Sequence, residues 1–174
     1  MATKSATVRH TGFGLRLAVR TGTGHTLTLD DATGDAGPRP SELLVVALGG
    51  CAALDVLPIL AKKRQEVSAY EVRVTAHQRD DPHPHVMTRI DVLHVVEGPE
   101  LEVEAVRRAI ELSATRYCTA TAMLASGVAE IHHGYFVRRG VGEAAEELEG
   151  EVLVTGPHAD PDATAADRSL ERSA

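Results

Sequence analysis

The chain contains no tryptophan, and only 3% of its 174 residues are aromatic, so its core must be built from aliphatic side chains. The 43% apolar content is enough for one globular domain with a sizeable core. Long apolar runs are missing too: the longest, 43–54, has twelve residues and includes two glycines, whereas a bilayer-crossing helix needs about 20. Because the N-terminus also lacks the apolar stretch of a secretory signal, we expect a soluble, cytoplasmic protein that does not bind membranes.

A clustered basic surface is also absent, which argues against a nucleic-acid partner. The formal net charge is −7, but residues 1–140 carry 16 basic and 16 acidic residues and are neutral. The excess comes from nine acidic residues against two arginines in 141–174. Because this segment is rich in Ala, Glu, Asp and Pro, we predict a folded domain over 1–137 and an acidic, disordered tail over 138–174, with at most a local strand at 151–155.

Apolar residues alternate with polar ones over 15–19 and 27–29, which predicts an N-terminal hairpin or meander. Similar alternation over 72–76 and 89–96 predicts two more strands, and 128–137 is predicted to be a last one. Two helical regions separate these strands, so the order of elements is ββ-α-ββ-α-β. This order is typical of an α+β domain with a mainly antiparallel sheet, and not of a doubly wound one.

The first helix is predicted to begin after an N-cap at Ser41, and it is apolar on every side, so we expect it to be buried all round. Gly49 and Gly50 each cost about 1 kcal/mol of helix propensity against Ala, which indicates close approach by a neighbouring element. Pro58 lacks the N–H that the helix needs, so a kink or break is expected there. The second helical region is predicted over 103–125, in two pieces.

Only two cysteines are present, Cys51 in the first helix and Cys118 in the second helical region. A structural disulfide is not expected in a cytoplasmic chain, because that compartment keeps thiols reduced. Three interpretations remain: small core residues, metal ligands, or a redox pair in which a sulfenic acid on one cysteine condenses with the other thiol. Spacing does not choose between them, since only the fold can bring together sulfurs that are 67 residues apart.

The sequence around both cysteines is similar to that of a known family. The stretch PSELLVVALGGCAALDVLPIL, from Pro40, resembles the P-x-E-L-L-x-x-A-L-G-G-C signature of the OsmC/Ohr family of peroxide-stress proteins, and ELSATRYCTATAML resembles its second cysteine segment. The strands YEVRVTAHQRDD and RIDVLHVVEG, and the N-terminal GTGHTLTLDD, are similar as well. The resemblance covers roughly residues 6–137 and is greatest to the YhfA-like branch.

This resemblance implies a domain-swapped homodimer in which antiparallel sheets wrap around two central helices per chain. It also implies thiol-dependent reduction of hydroperoxides, organic ones especially. Cys51 would be the peroxidatic residue, Cys118 the resolving one, and an external dithiol the reductant, with neither a cofactor nor a metal. The alternatives are a non-catalytic binding or stress-response protein of the same fold, and a peroxide sensor.

The helix start departs from the pattern of the best-studied peroxidase branches, in which a Glu directly follows the Pro and pairs with an Arg that activates the cysteine. Ser41 holds that position here, and Glu42 comes one residue later, about 100° further round a helix. Because Glu42 is nine residues before Cys51, we expect no direct contact between them within one chain. The candidates for an activating arginine precede the helix and lie in no matched motif: Arg16, Arg20 and Arg39.

Two histidine pairs are candidate metal ligands by their spacing. His83 and His85 form an HxH in a Pro-rich loop with no obvious acid partner, so no metal site is predicted there. His132 and His133 are adjacent on a predicted strand, so they point to opposite faces and cannot share a metal ion.

Overall fold

The computed structural model of the chain describes residues 3–127 and 129–156. The chain divides after Val45 into an N-terminal and a C-terminal compact unit. The N-terminal unit contains a three-stranded antiparallel sheet in the order β1-β2-β3 (Ala6–His10, Leu17–Thr21, Thr26–Leu29). The predicted N-terminal meander is therefore confirmed. Strand β1 was not predicted, because all five of its residues are exposed and show no alternation of burial.

The C-terminal unit is built on a four-stranded sheet in the order β4-β5-β6-β7. Strands β4 (Ala69–Gln78) and β5 (Met87–Gly98) are antiparallel, as are β6 (Glu130–Arg139) and β7 (Glu146–Thr155). The central pair, β5 and β6, is parallel. A parallel pair needs a crossover connection, which the second helical region between these strands provides. The α+β class and the mainly antiparallel sheet are thus confirmed.

The helices are α1 (Pro40–Lys62), α2 (Val103–Leu112) and α3 (Thr119–Ala125), with a π-helical turn at Ser113–Tyr117 between α2 and α3. The two-piece second helical region is confirmed. One buried apolar cluster joins residues of α1, α2, β5 and β6: Val56, Leu60, Val106, Ile110, Val96 and Val137. A second cluster surrounds the cysteines and includes Leu48, Ile90, Val92 and Ile131.

Helix α1 differs from its prediction in three ways. It begins at Pro40, which places Ser41 inside the first turn, and it runs without a break through Pro58 to Lys62. A proline is well suited to the first helical position, because its missing N–H has no partner in the helix anyway. Only one face is buried: Leu48, Ala52, Val56 and Leu60 are 0–1% exposed, whereas Val46 is 64% and Leu54 77% exposed. Burial all round is therefore wrong for the single chain.

The two glycines of α1 have different surroundings. A Cβ on Gly49 would lie 3.1 Å from Val74 Cγ2 on β4, so this glycine allows the close approach that the sequence indicated. A Cβ on Gly50 would meet nothing within 4 Å. Gly50 lies on the exposed side of the helix with Val46 and Leu54, so the expectation of a close neighbour holds for Gly49 alone in the single chain.

The predicted disordered tail from 138 is wrong for residues 138–156, because β6 extends to Arg139 and β7 adds a full edge strand beside it. The acidic composition hid an alternating pattern in EELEGEVLVT: Leu148 and Val152 pack against the apolar cluster, and the glutamates lie between them. Glu146 and Glu147 face Arg139 and Arg138 of β6. The remaining part of the predicted tail, 157–174, lies outside the described residues.

Two histidines are buried in the middle of the four-stranded sheet. His94 on β5 is 1% exposed and His133 on β6 is 2% exposed. The Tyr70 hydroxyl lies 2.6 Å from His94 Nδ1. Burial, together with the neighbouring imidazole, lowers the pKa of His94 to about 3 and that of His133 to about 4. Both rings are therefore neutral at physiological pH, and His133 and His132 lie on opposite faces as predicted.

Candidate active site

Helix α1 presents Cys51 and Asp55 side by side, because residues four apart lie on the same face of a helix. Cys51 is partly buried and packs against the apolar cluster formed by Leu48, Ile90 and Val92, among others. A small apolar molecule would therefore find compatible surroundings next to the Cys51 sulfur.

Cys118 lies at the junction of the π-helical turn and α3. Its backbone N–H donates to the Ser113 carbonyl (2.9 Å), which closes the wide turn. Its Sγ accepts a hydrogen bond from the Thr121 backbone N–H (3.3 Å), so the thiol caps the start of α3. The side chain is only 3% exposed. The turn thus holds the sulfur in one position inside the core.

The fold brings the two cysteines together. Cys51 Sγ, Cys118 Sγ and a carboxylate oxygen of Asp55 all lie within 4.8 Å of one another. Both cysteines are free thiols, and a disulfide requires the sulfurs to approach to about 2.05 Å. The interpretation of two unrelated core residues is thereby disfavoured, since the arrangement is one in which two thiols can react with each other.

Burial raises the pKa of the Cys118 thiol, and the neighbouring Cys51 raises it further, whereas hydrogen bonding from Thr121 acts in the opposite direction. Cys118 is therefore a thiol, not a thiolate, at neutral pH. A buried thiol of this kind reacts slowly with an external oxidant, because the thiolate is the nucleophilic form.

Asp55 is the residue that sequence reasoning missed. Its Oδ2 accepts a hydrogen bond from the Ser113 hydroxyl (3.1 Å), and Ser113 is 2% exposed. The signal was present in the sequence CAALD, since a carboxylate four residues after a cysteine shares its helix face. Ser113, by contrast, comes from a different element and only the fold places it here.

The residues named as possible activators of Cys51 lie in the N-terminal unit. Glu42 accepts from the Arg39 backbone N–H (2.7 Å), which is the position a capping glutamate takes in the first turn of a helix, and it also pairs with the Arg39 guanidinium (3.7 Å). Arg16 pairs with the buried Asp30 at 3.0 Å, and Arg20 is exposed on β2. A role for one of these arginines in activating Cys51 stays a hypothesis beside the one that each is an ordinary surface charge.

Metal ligation has one further candidate place. Asp81, His83 and His85, in the exposed loop between β4 and β5, offer ligand atoms within 4.8 Å of one another. The structure thus supplies the acid partner that the HxH pattern did not show. At the cysteine cluster the described donors number three, one fewer than a structural zinc site uses and the same number as the protein ligands of a catalytic zinc site. The same two adjacent thiols are what a disulfide requires.

Residues 32–131 match the family described as OsmC-like protein. The chain is 40% identical over 124 residues to protein YhfA of Escherichia coli K12, which covers 71% of this chain and 91% of YhfA. Among solved structures, a hypothetical protein from Aquifex aeolicus is 28% identical with a TM-score of 0.69, covering 80% of this chain and 98% of that one.

A more distant structure shares the fold only. An organic hydroperoxide resistance protein from Elizabethkingia anophelis has a TM-score of 0.57 at 13% identity, covering 79% of this chain and 96% of that one. The family match, the YhfA similarity and the shared fold agree with one another, and the matched residues include both cysteines. The chain therefore belongs to the OsmC-like family.

Proposed function

We propose that this protein is a two-cysteine thiol peroxidase that reduces organic hydroperoxides. The observation that carries the proposal is the meeting of the Cys51 and Cys118 sulfurs within 4.8 Å inside an apolar cluster. The organic hydroperoxide resistance proteins that share the fold support the substrate class. An organic peroxide suits this site because its alkyl part can be buried among Leu and Val side chains.

Cys51 is the better first nucleophile, since it is partly exposed and Cys118 is buried. Its thiolate attacks the terminal, hydroxyl-bearing oxygen of the hydroperoxide, the O–O bond breaks, and the alkoxide leaves and takes a proton to become an alcohol. Cys51 becomes a sulfenic acid, oxidised by two electrons, and the peroxide is reduced by the same two.

Cys118 then attacks the sulfenic sulfur, a disulfide forms, and the hydroxyl leaves as water. An external dithiol restores both thiols and is itself oxidised to a disulfide. This order agrees with the state of Cys118, whose raised pKa makes it a poor first nucleophile but leaves it able to trap a sulfenic acid a few ångströms away.

The proposal includes a homodimer in the cytoplasm. Helix α1 exposes Val46, Leu54 and Leu57 on one side (64%, 77% and 39%). Soluble monomers rarely leave such a row of large apolar residues uncovered. A second copy is the occupant that the family resemblance implies, and it would complete the burial that the apolar sequence of α1 predicts.

The first experiment is stoichiometric. The reduced protein receives one equivalent of cumene hydroperoxide, with hydrogen peroxide in parallel, and thiols are counted by mass spectrometry. We expect rapid loss of both thiols as one intrachain disulfide. Cys118→Ser, the matched control, should lose the Cys51 thiol only and stop at the sulfenic acid. The proposal fails if Cys51→Ser leaves peroxide turnover unchanged.

A peroxide sensor is the second candidate function. It would use the same site, because the two sulfurs within 4.8 Å of each other can form a disulfide in a sensor as well as in an enzyme. The pairing of Arg16 and Arg39 with carboxylates of the N-terminal unit instead favours a non-catalytic protein of the same fold. A sensor would form the same disulfide without rapid turnover. Measuring peroxide consumption with excess dithiol separates the two, because an enzyme consumes many equivalents and a sensor about one.

A further inference from the structure

The resolving step needs a proton to move from the Cys118 thiol to the oxygen on Cys51. Cys118 must lose its proton as it attacks, and the oxygen on Cys51 must gain one to leave as water, because hydroxide is a poor leaving group. Cys118 is 3% exposed, so bulk water has little access to its thiol, and burial raises its pKa. A nearby base is therefore required at the moment of attack.

Asp55 is the one carboxylate in the cluster of described residues that holds both sulfurs within 4.8 Å. It lies on the same face of α1 as Cys51, and Cys118 approaches it from the end of the π-helical turn. Catalytic hydrogen bonds are often long in unliganded proteins and shorten as the reaction proceeds, so this separation suits an acid–base group.

Ser113 orients that carboxylate. Its hydroxyl donates to Asp55 Oδ2 at 3.1 Å, and its backbone carbonyl accepts from the Cys118 N–H at 2.9 Å. One residue of the π-helical turn thus holds both the carboxylate and the resolving cysteine. With Oδ2 occupied as an acceptor, the remaining lone pairs of Asp55 are available for the proton of Cys118.

We propose that Asp55 is the proton relay of the resolving step, which rests on the peroxidase function proposed above. The Asp55 carboxylate takes the proton from Cys118 Sγ as the S–S bond forms, and gives it to the hydroxyl oxygen as the S–O bond of the Cys51 sulfenic acid breaks. The products are a disulfide, one water molecule and the regenerated carboxylate. No other reactant is consumed.

This role predicts that the two chemical steps respond differently to Asp55→Asn, which keeps the shape of the side chain but removes the base. Sulfenic acid formation on Cys51 should stay within about threefold of the wild-type rate. Disulfide formation should slow by about 100-fold, the lower end of general acid–base contributions. The wild-type resolving rate should be flat around neutral pH, whereas that of the variant should rise with pH as Cys118 ionises.

The test follows single turnovers of the reduced full-length protein with cumene hydroperoxide, quenched into dimedone and resolved by mass spectrometry. The relay predicts accumulation of the Cys51–dimedone adduct in Asp55→Asn and little in the wild type. Asp91→Asn, on the outer face of the sheet, is the matched control and should resolve as the wild type does. Ser113→Ala, which removes only the hydrogen bond to Asp55, should slow resolution by a smaller factor, and it provides the test if Asp55→Asn does not fold.

Two results would overturn the relay. Equal disulfide rates and equal pH profiles in the wild type and Asp55→Asn would remove Asp55 from the step while leaving the peroxidase intact. Thiols that survive peroxide in the wild type would refute the peroxidase and the relay with it. Whether the wild-type protein loses its thiols to peroxide therefore distinguishes a failure of the peroxidase proposal from a failure of the relay alone.

Discussion

Two buried histidines, His94 and His133, make the stability of this fold sensitive to acid. Each is at most 2% exposed, and their pKa values are lowered to about 3 and about 4. In the unfolded chain a histidine has a pKa of about 6.5. Between these values the unfolded state binds more protons than the folded state, so the free energy of unfolding falls as pH drops below about 6.5.

We predict that each buried histidine lowers the free energy of unfolding by about 2 kcal/mol at pH 5 relative to pH 7. His133→Gln should remove the contribution of His133, so that the free energies of unfolding measured in urea at pH 7 and pH 5 differ less than they do in the wild type. His83→Gln, at an exposed position, is the control and should leave the difference unchanged. An unaltered pH dependence in His133→Gln would contradict the assignment.

Among single residues, Asp55 shows which contacts a local sequence pattern predicts and which it does not. Its four-residue spacing from Cys51 puts the two side chains on one helix face, a signal that was present in the sequence although the predictions from sequence did not use it. That the carboxylate also meets Cys118 and Ser113 depends on the packing of α1 against the π-helical turn. The packing of α1 against β4 makes Gly49, and not Gly50, the glycine that must stay small.

At the level of elements, β7 is the strand that the acidic composition concealed. It forms the edge of the four-stranded sheet, and Leu153, which is 8% exposed, lies on it together with Leu148 and Val152. Because burial of one large aliphatic side chain contributes roughly 1.5–3 kcal/mol, this strand contributes substantially to the stability of the C-terminal unit.

Two truncations test this contribution. A chain ending after Arg139 lacks β7, leaves β6 as an unpaired edge and should lose about 3 kcal/mol or more of unfolding free energy, with increased aggregation. A chain ending after Gly156 keeps all the described strands and is the reference for this comparison. The measurement is urea unfolding followed by circular dichroism, and equal midpoints for both truncations would show that β7 adds nothing.

Helix α1 contributes both to the apolar core and to the candidate active site. One face packs into the two apolar clusters through Leu48 and Val56, and Cys51 and Asp55 lie at the border of that face. By length and composition the helix would also suit a membrane, a test that core helices of soluble proteins pass too. The exposed side of α1 is the surface at which the homodimer proposed above would form.

For the whole molecule, the proposed dimer makes a prediction at Leu54, the most exposed large apolar residue of α1 (77%). Leu54→Glu should raise the dimer dissociation constant at least about 100-fold, because each copy loses roughly 1.5–3 kcal/mol of burial and gains a charge at the interface. Sedimentation velocity should find the wild type at twice the 18.5 kDa chain mass and the variant nearer to one.

Lys63→Glu, just beyond the end of α1, is the matched control, since it introduces the same side chain outside the apolar row. It should remain dimeric. A wild-type protein that sediments as a monomer at micromolar concentration would refute the dimer, and a Leu54→Glu variant that stays dimeric would place the interface elsewhere.

The sequence by itself determined the class of fold and the family. Period-two alternation located the strands of 69–98, a continuous apolar run after a predicted capping residue located α1, helical spacing of apolar residues located α2, and the two cysteine segments carried the family resemblance. These features are local, because each depends on residues within about twenty positions. The prediction of a disordered tail was wrong for a related reason. It used the average composition of the segment, and an average hides the alternation by which successive residues of β7 face opposite sides of the sheet.

Only the tertiary structure decided what the cysteines can do. Sulfurs 67 residues apart meet because α1 and the π-helical turn pack against the same sheet, and the same packing adds Asp55 and Ser113 to the site. The parallel pairing of β5 and β6 and the one-sided burial of α1 were likewise decided there. Contacts between distant segments depend on how the elements pack. Local patterns can be read from a single sequence, whereas this packing cannot.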